Sequence, residues 1–274
     1  MKQSGRSVRK PMNGVRRSSV ERPAASAATV AAIVSVSNEE ESIGKVLGQL
    51  TRLALDELII VMNGCRDRSF PLARSYPQAV ILHYPHPIGH DVGRAIGAKA
   101  AQSDILLFVD GDFPVPAESL AQFIEAVRRG TDVALNDLSP YLPMFDERDA
   151  VTRCKEFLNR CLGRPDLGAN SLTAVPHALS RKAVETIGCA NLMVPPKAHA
   201  IALLQGLKVE ASVSVNVFHH NRERKINIGT INPVSQLIVG DHLEAFRQAM
   251  DIQGGRLLFP DRFRRRAALR RKGR

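Results

Sequence analysis

The hydrophobic positions of the chain switch repeatedly between two periods. Residues 29–37 (TVAAIVSVS) are a short apolar run ending in polar residues, which predicts a buried strand. Asn38, with Glu41 three positions on, reads as a capping box for a helix in which Ile43, Val46, Leu47 and Leu50 recur at helical spacing. Further runs at 57–62 (ELIIVM), 79–84 (AVILHY), 104–109 (DILLFV) and 132–135 predict four more strands. A small-residue helix at 89–101 and an amphipathic one at 116–129 lie among them. This alternation predicts an α/β fold with a mostly parallel central sheet flanked by helices.

Beyond Asp137 the pattern loosens. Residues 138–148 read as a loop, 150–162, 181–187, 197–205 and 233–250 as helices, and 171–178 and 208–218 (KVEASVSVNVF) as strands. The expected organisation is a disordered basic leader at 1–28, one domain at 29–255 and a basic tail at 256–274. Within the domain, 29–137 and 138–255 are the two expected halves.

Charge changes this picture less than its total suggests. The formal net charge is +11, yet residues 1–22 hold seven basic groups and one acid, and residues 256–274 hold nine and one. The stretch between them is therefore net acidic. A domain that reads nucleic acid carries positive charge on its folded face, so no specific nucleic-acid partner is expected. The tails read as solvated ends, or as segments drawn to an anionic membrane surface at ~1 kcal/mol per basic residue. Four cysteines without CxxC spacing, and no signal-peptide or membrane-spanning run, suit a cytoplasmic protein, peripheral at most at the inner membrane surface.

The clearest chemical signal is Asp110-Gly111-Asp112 directly after an apolar strand. In open α/β sheets ligands bind beyond the carboxyl ends of the strands. Carboxylates at i and i+2 of extended chain share a side, and hard oxygen ligands suit Mn²⁺ or Mg²⁺ holding a diphosphate. In isolation the same three residues are an ordinary Asp-Gly turn. His86, His90 and Asp91 lack the further ligands a zinc site needs, and loop or capping roles are expected of them.

Position and company decide the matter. SVSNEE at 35–40, VMNGCRDRS at 61–69, GHDVGRAIGA at 89–98 and FVDGD at 108–112 occur in an order and spacing that resemble those of the family 2 glycosyltransferases. The resemblance covers about 30–136 and implies the GT-A fold and sugar transfer from a nucleotide diphosphate sugar to an alcohol acceptor. It places Ser35 and Glu39 at the base and ribose end of the donor and Asn63 where the family commonly has a base-contacting Asp. Asp67 would stabilise its turn or the following helix start, Arg94 would face the phosphates, and Asp110 and Asp112 would hold the metal. His219 or His220 would supply a third metal ligand, and 222–225 a basic lid.

The family's Glu-Asp pair, whose Asp is the usual general base, is missing. Aligned on Gly206, its place is taken by Val194-Pro195-Pro196. Asp137, His199 and Asp241 are the remaining candidates for a base. A catalytically weakened GT-A module acting in binding or assembly therefore stays open as an alternative. A nucleotidyltransferase is a third, though the first strand lacks the glycine-rich loop such enzymes carry.

Overall fold

A computed structural model describes residues 28–218 and 232–264. Its strands are β1 (Val30–Val36), β2 (Glu57–Asn63), β3 (Ala79–Tyr84), β4 (Ile105–Asp110), β5 (Val133–Asn136), β6 (His177–Ser180) and β7 (Val209–Val213). The helices are α1 (Ile43–Leu50), α2 (Ser69–Arg74), α3 (Val92–Ala100), α4 (Ala117–Arg128), α5 (Ala150–Cys161), α6 (Arg181–Ile187), α7 (Pro195–Leu204) and α8 (Pro233–Gln253). All strands join one sheet in the order β3-β2-β1-β4-β6-β5-β7. The pairings are parallel except where β6 runs against β4 and β5. A strand from the second half of the chain thus sits between two from the first.

The sheet is covered on both faces, which is why its strands are apolar at successive positions. Along β1, Ala32, Val34 and Val36 pack toward α1 and α4, whereas Ala31 and Ile33 pack toward α3, α6 and α7. A third, smaller cluster joins Leu158 and Leu162 to Ala200, Ala245 and Ala249, so α8 lies against α5 and α7.

Helix α3 comes unusually close to β1. A Cβ on Gly93 would stand 2.9 Å from Ser35 Oγ, and one on Gly97 would collide with Ile33 Cγ2. The small-residue stripe at 93 and 97 thus seats the helix that carries Arg94 directly over the sheet.

Three local expectations are corrected. Asn38 does not cap α1; it lies at φ 59° and its Oδ1 accepts from Arg66 N at 2.8 Å, while Ser42 occupies the cap position. Residues 171–176 are a turn, closed by Ala174 N donating to Ser171 O, and the strand begins only at His177. β7 stops at Val213 because the Asn136 side chain takes over the ladder. Its Nδ2 donates to Val215 O at 3.0 Å and its Oδ1 accepts from Val215 N at 2.8 Å.

Candidate active site

The site forms where the chain reverses its course through the sheet. β2 and β3 follow β1 on one side and β4 lies on the other, so the crevice beyond β1 and β4 is a topological switch point. Ser35 and Asp110 are register partners across it. Gly111 passes over the end of β1 with its N–H bonded to Ser35 O at 2.9 Å, and its own carbonyl accepts from Ser42 Oγ at 2.8 Å. A side chain at 111 would press on Val36 and on the Ser35 carbonyl, at 3.1 and 3.2 Å. Glycine therefore fixes the acidic turn against the β1–α1 loop, where Glu39 is buried.

Arg94 reaches this turn from the first coil of α3. Its guanidinium is nearly buried; Nη2 lies 3.0 Å from Asp91 Oδ1 and 3.7 Å from Asp110 Oδ2. Nη1 donates to Leu172 O at 3.2 Å, and Nε has no hydrogen-bond partner among the described residues. It is no surface salt bridge. Asp91 stands just before α3 at φ 58° but spends its carboxylate on Arg94 rather than on a cap.

The electrostatics favour a cation. Burial pushes the Asp110 carboxyl up to about 6; Arg94 opposes this, and the Asp112 and Asp91 charges add to it. Hard carboxylate oxygens that repel one another at a strand end fit a divalent ion, which would reverse the shift. Among the described residues no three His, Cys, Asp or Glu side chains converge as a metal cluster. His219, His220 and the 222–225 segment lie outside the described residues.

The other expected residues separate into two groups. Asp241, on α8, feels charges beside the site: burial and then the Asp91 and Glu244 charges raise its carboxyl to about 6, and His90 opposes them. Asn63 and Asp67 organise loops. Asn63 Oδ1 accepts from Ile88 N and its Nδ2 donates to Gly89 O, both at 2.8 Å, so each end of the amide already has a main-chain partner. Asp67 accepts from Glu40 N and Ser69 N, each at 3.0 Å, tying the start of α2 to the β1–α1 loop.

Asp137 accepts from Ser139 N at 3.0 Å and Asn170 Nδ2 at 2.9 Å. Burial would raise its carboxyl, but these bonds outweigh it and hold it below the usual range. His199 is wholly buried with Nε2 2.7 Å from Asn159 Oδ1, and burial pushes it down to about 3. It has no exposed atom with which to meet an acceptor hydroxyl, so its place is structural.

Lys155 went unnoticed in the sequence. It lies on the inner face of α5 with Thr152, Leu158 and Asn159, and burial lowers its ammonium to about 8, against Asp149 and with help from Arg94. A lysine at i+3 from one inward residue and i−4 from another was the available signal. Phe108, Leu172, Leu192, Pro195 and Ala198 line a recess beside Arg94 with His177, whose ring lies 5.0 Å from that of Phe108.

Comparison with known proteins identifies the family and the fold. The sequence profile of Glycosyl transferase family 2 matches residues 31–185, which holds every strand from β1 to β6. The chain is 27% identical over 110 residues to the uncharacterized glycosyltransferase YkcC of Bacillus subtilis, covering 37% of this chain and 34% of that protein. It is 28% identical over 109 residues to a dolichyl-phosphate hexose transferase of Haloferax volcanii, covering 39% and 47%. The matched segment thus spans less than half the length of either relative.

Among solved structures, glucosyl-3-phosphoglycerate synthase of Mycobacterium tuberculosis, in complex with Mn²⁺, UDP and phosphoglyceric acid, superposes with a TM-score of 0.61 at 19% identity. That match covers 86% of this chain and 81% of the synthase. The same enzyme with Mg²⁺ and UDP gives 0.60 at 17% identity, covering 86% and 82%. These likenesses establish the GT-A fold. With the profile spanning more than half of its length, the chain belongs to glycosyl transferase family 2.

Proposed function

We propose that the protein transfers a hexosyl group from a nucleoside diphosphate sugar to an alcohol acceptor, with Asp110 and Asp112 holding Mn²⁺ or Mg²⁺. The observation that carries this is the acidic turn at the switch point, with Arg94 buried against it. Bound there, a divalent ion would supply neutralising charge for the departing diphosphate. Ser35 and Glu39 border the nucleoside end. Arg94 gives a fixed, desolvated cation for the phosphates, and Lys155 a second cation with no hydrogen-bond or ion-pair partner among the described residues. Asp241 is the acid we assign to take a proton from an acceptor, because it feels the charge of Asp91 beside Arg94 and burial raises its carboxyl to about 6. The Mn²⁺- or Mg²⁺-bound UDP complexes of the synthase and the hexose transfer in the archaeal relative's name support the donor class.

Thermal shift with UDP, GDP, ADP and CDP, each with and without Mn²⁺, tests the site. One diphosphate should raise Tm only when metal is present, and Asp112→Ala should remove the metal-dependent part. Equal shifts with and without metal, unchanged in the variant, would refute it. A second reading, a GT-A module that binds without turnover, is favoured by Pro195 and Pro196 standing where the family's acid pair is expected. Such a module would show the thermal shift but no metal-dependent hydrolysis of the nucleotide sugar. The nucleotidyltransferase alternative is set aside by the family.

A further inference from the structure

After α8 the chain turns back onto α5 in a short hook that is anchored from beneath. Leu257 packs with Leu158, Leu162, Ala245 and Ala249. A Cβ on Gly163 would stand 2.8 Å from Leu258 Cδ1, so the bare glycine after α5 lets the hook lie down. Leu257 N donates to Gly254 O at 2.9 Å, Phe259 N to Arg256 O at 3.0 Å, and Arg256 Nη2 to Pro260 O at 3.2 Å. With one side so fixed, the other is turned to solvent. Phe157 is 53% exposed, Leu258 55%, Phe259 43% and Phe263 100%, and the rings of Phe157 and Phe259 stack at 6.5 Å. Exposed apolar side chains gathered in this way mark an interaction surface.

Its charge identifies the partner. Arg153 and Arg160 flank Phe157 on the outer face of α5, and the hook adds Arg256, Arg262 and Arg264. The acids of the same segments are already paired: Glu156 with Arg148, Asp251 with Arg247 and Asp261 with Arg264. The sequence then continues through residues 265–274 with six more basic groups and no acid. A second copy docked here about a two-fold axis would bring like charge against like. The fitting partner is apolar just below an anionic surface. We propose that the outer face of α5 and the 254–264 hook dock on an anionic lipid bilayer, with Phe259 and Phe263 entering the headgroup layer and the arginines meeting lipid phosphates. This proposal stands whether or not the sugar-transfer reading does.

The chain contains no tryptophan, so Phe263→Trp in the full-length protein is a lone reporter. With vesicles of phosphatidylcholine and phosphatidylglycerol its emission should shift to the blue and be quenched by brominated acyl chains. With phosphatidylcholine alone neither should occur. In the unlabelled protein, Phe157→Ser with Phe259→Ser should weaken vesicle affinity at least about tenfold at unchanged Tm. Vesicle binding without a shift in emission would assign the attraction to charge alone and overturn the docking face. Absence of vesicle binding would overturn it too, as would a dimer in light scattering that dissociates in the double variant.

Discussion

Arg94 and Lys155 are cations withdrawn from water to different degrees, Arg94 at the acidic turn and Lys155 within electrostatic reach of Arg94, and they differ in what they are given in return. Arg94 has Asp91, Asp110 and the Leu172 carbonyl around it. Removing one partner of a buried pair leaves the other charge uncompensated, so Arg94→Met should cost about 3–5 kcal/mol in urea unfolding. Arg94→Lys should fall between, because an ammonium cannot reach Asp91 and Leu172 with separate arms. For Lys155 the sign reverses. Its ammonium has no hydrogen bond or ion pair among the described residues and is lowered to about 8 chiefly by burial, so the folded state bears its charge at a cost at neutral pH. Lys155→Met should therefore raise Tm while weakening the response to a nucleoside diphosphate with metal. Loss of stability, or an unaltered ligand response, would show that Lys155 is a structural residue with a partner. The expected pair of results would mark Lys155 as a residue kept for a ligand rather than for stability.

Between residues and fold stands the seating of α3, whose glycines set how near Arg94 comes to the sheet. Gly97→Ala improves helix propensity by about 1 kcal/mol but drives a methyl into Ile33, and overpacking of this kind costs about 1–3 kcal/mol. The variant should be less stable than the parent, and Ile33→Ala should cost less in its presence than alone. Additive effects in that double-mutant cycle would mean the helix simply shifts outward. Elements of this kind were legible from the chain. The apolar runs of β1 to β4 and the helical spacing of α1 and α4 come through within a residue or two, because a sheet covered on both faces leaves an unambiguous pattern. What escaped was decided by side chains replacing backbone. Asn136 ends β7 by pairing with Val215, and Asn38 in a left-handed conformation holds Arg66 instead of capping α1. The acidic turn was visible because its chemistry is contiguous. Asp241 could be named only as one of three candidate bases, and neither its coupling to Asp91 nor the nearness of Lys155 to Arg94 was legible, since these arise between α3, α5 and α8, which no local window contains.

On the scale of the whole molecule, two histidines and two carboxyls with displaced protonation form opposed sets, and pH separates them. Burial first of all lowers His177 and His199 from 6.5 to about 3, while it raises Asp110 and Asp241 from 3.8 to about 6. Between pH 6.5 and 3 the unfolded chain binds more protons at the two histidines than the folded protein does, so their contribution to stability falls as pH falls. Between about 6 and 3.8 the folded protein binds more protons at the two carboxylates, and their contribution rises. The sets offset one another, so the wild-type curve alone is a poor witness and a difference between curves is needed. His199→Gln keeps a donor for Asn159 but cannot be protonated. At pH 7.5 it should be the less stable protein, having lost a packed ring. From pH 6.5 downward the gap should close by about 1.4 kcal/mol per pH unit, since the wild type alone must keep an uncharged imidazole against rising proton activity. Urea unfolding at several pH values reads this directly. Curves that stay parallel from pH 7 to 5 would mean that His199 is protonated in the folded state, and that the α5–α7 interior is open to water.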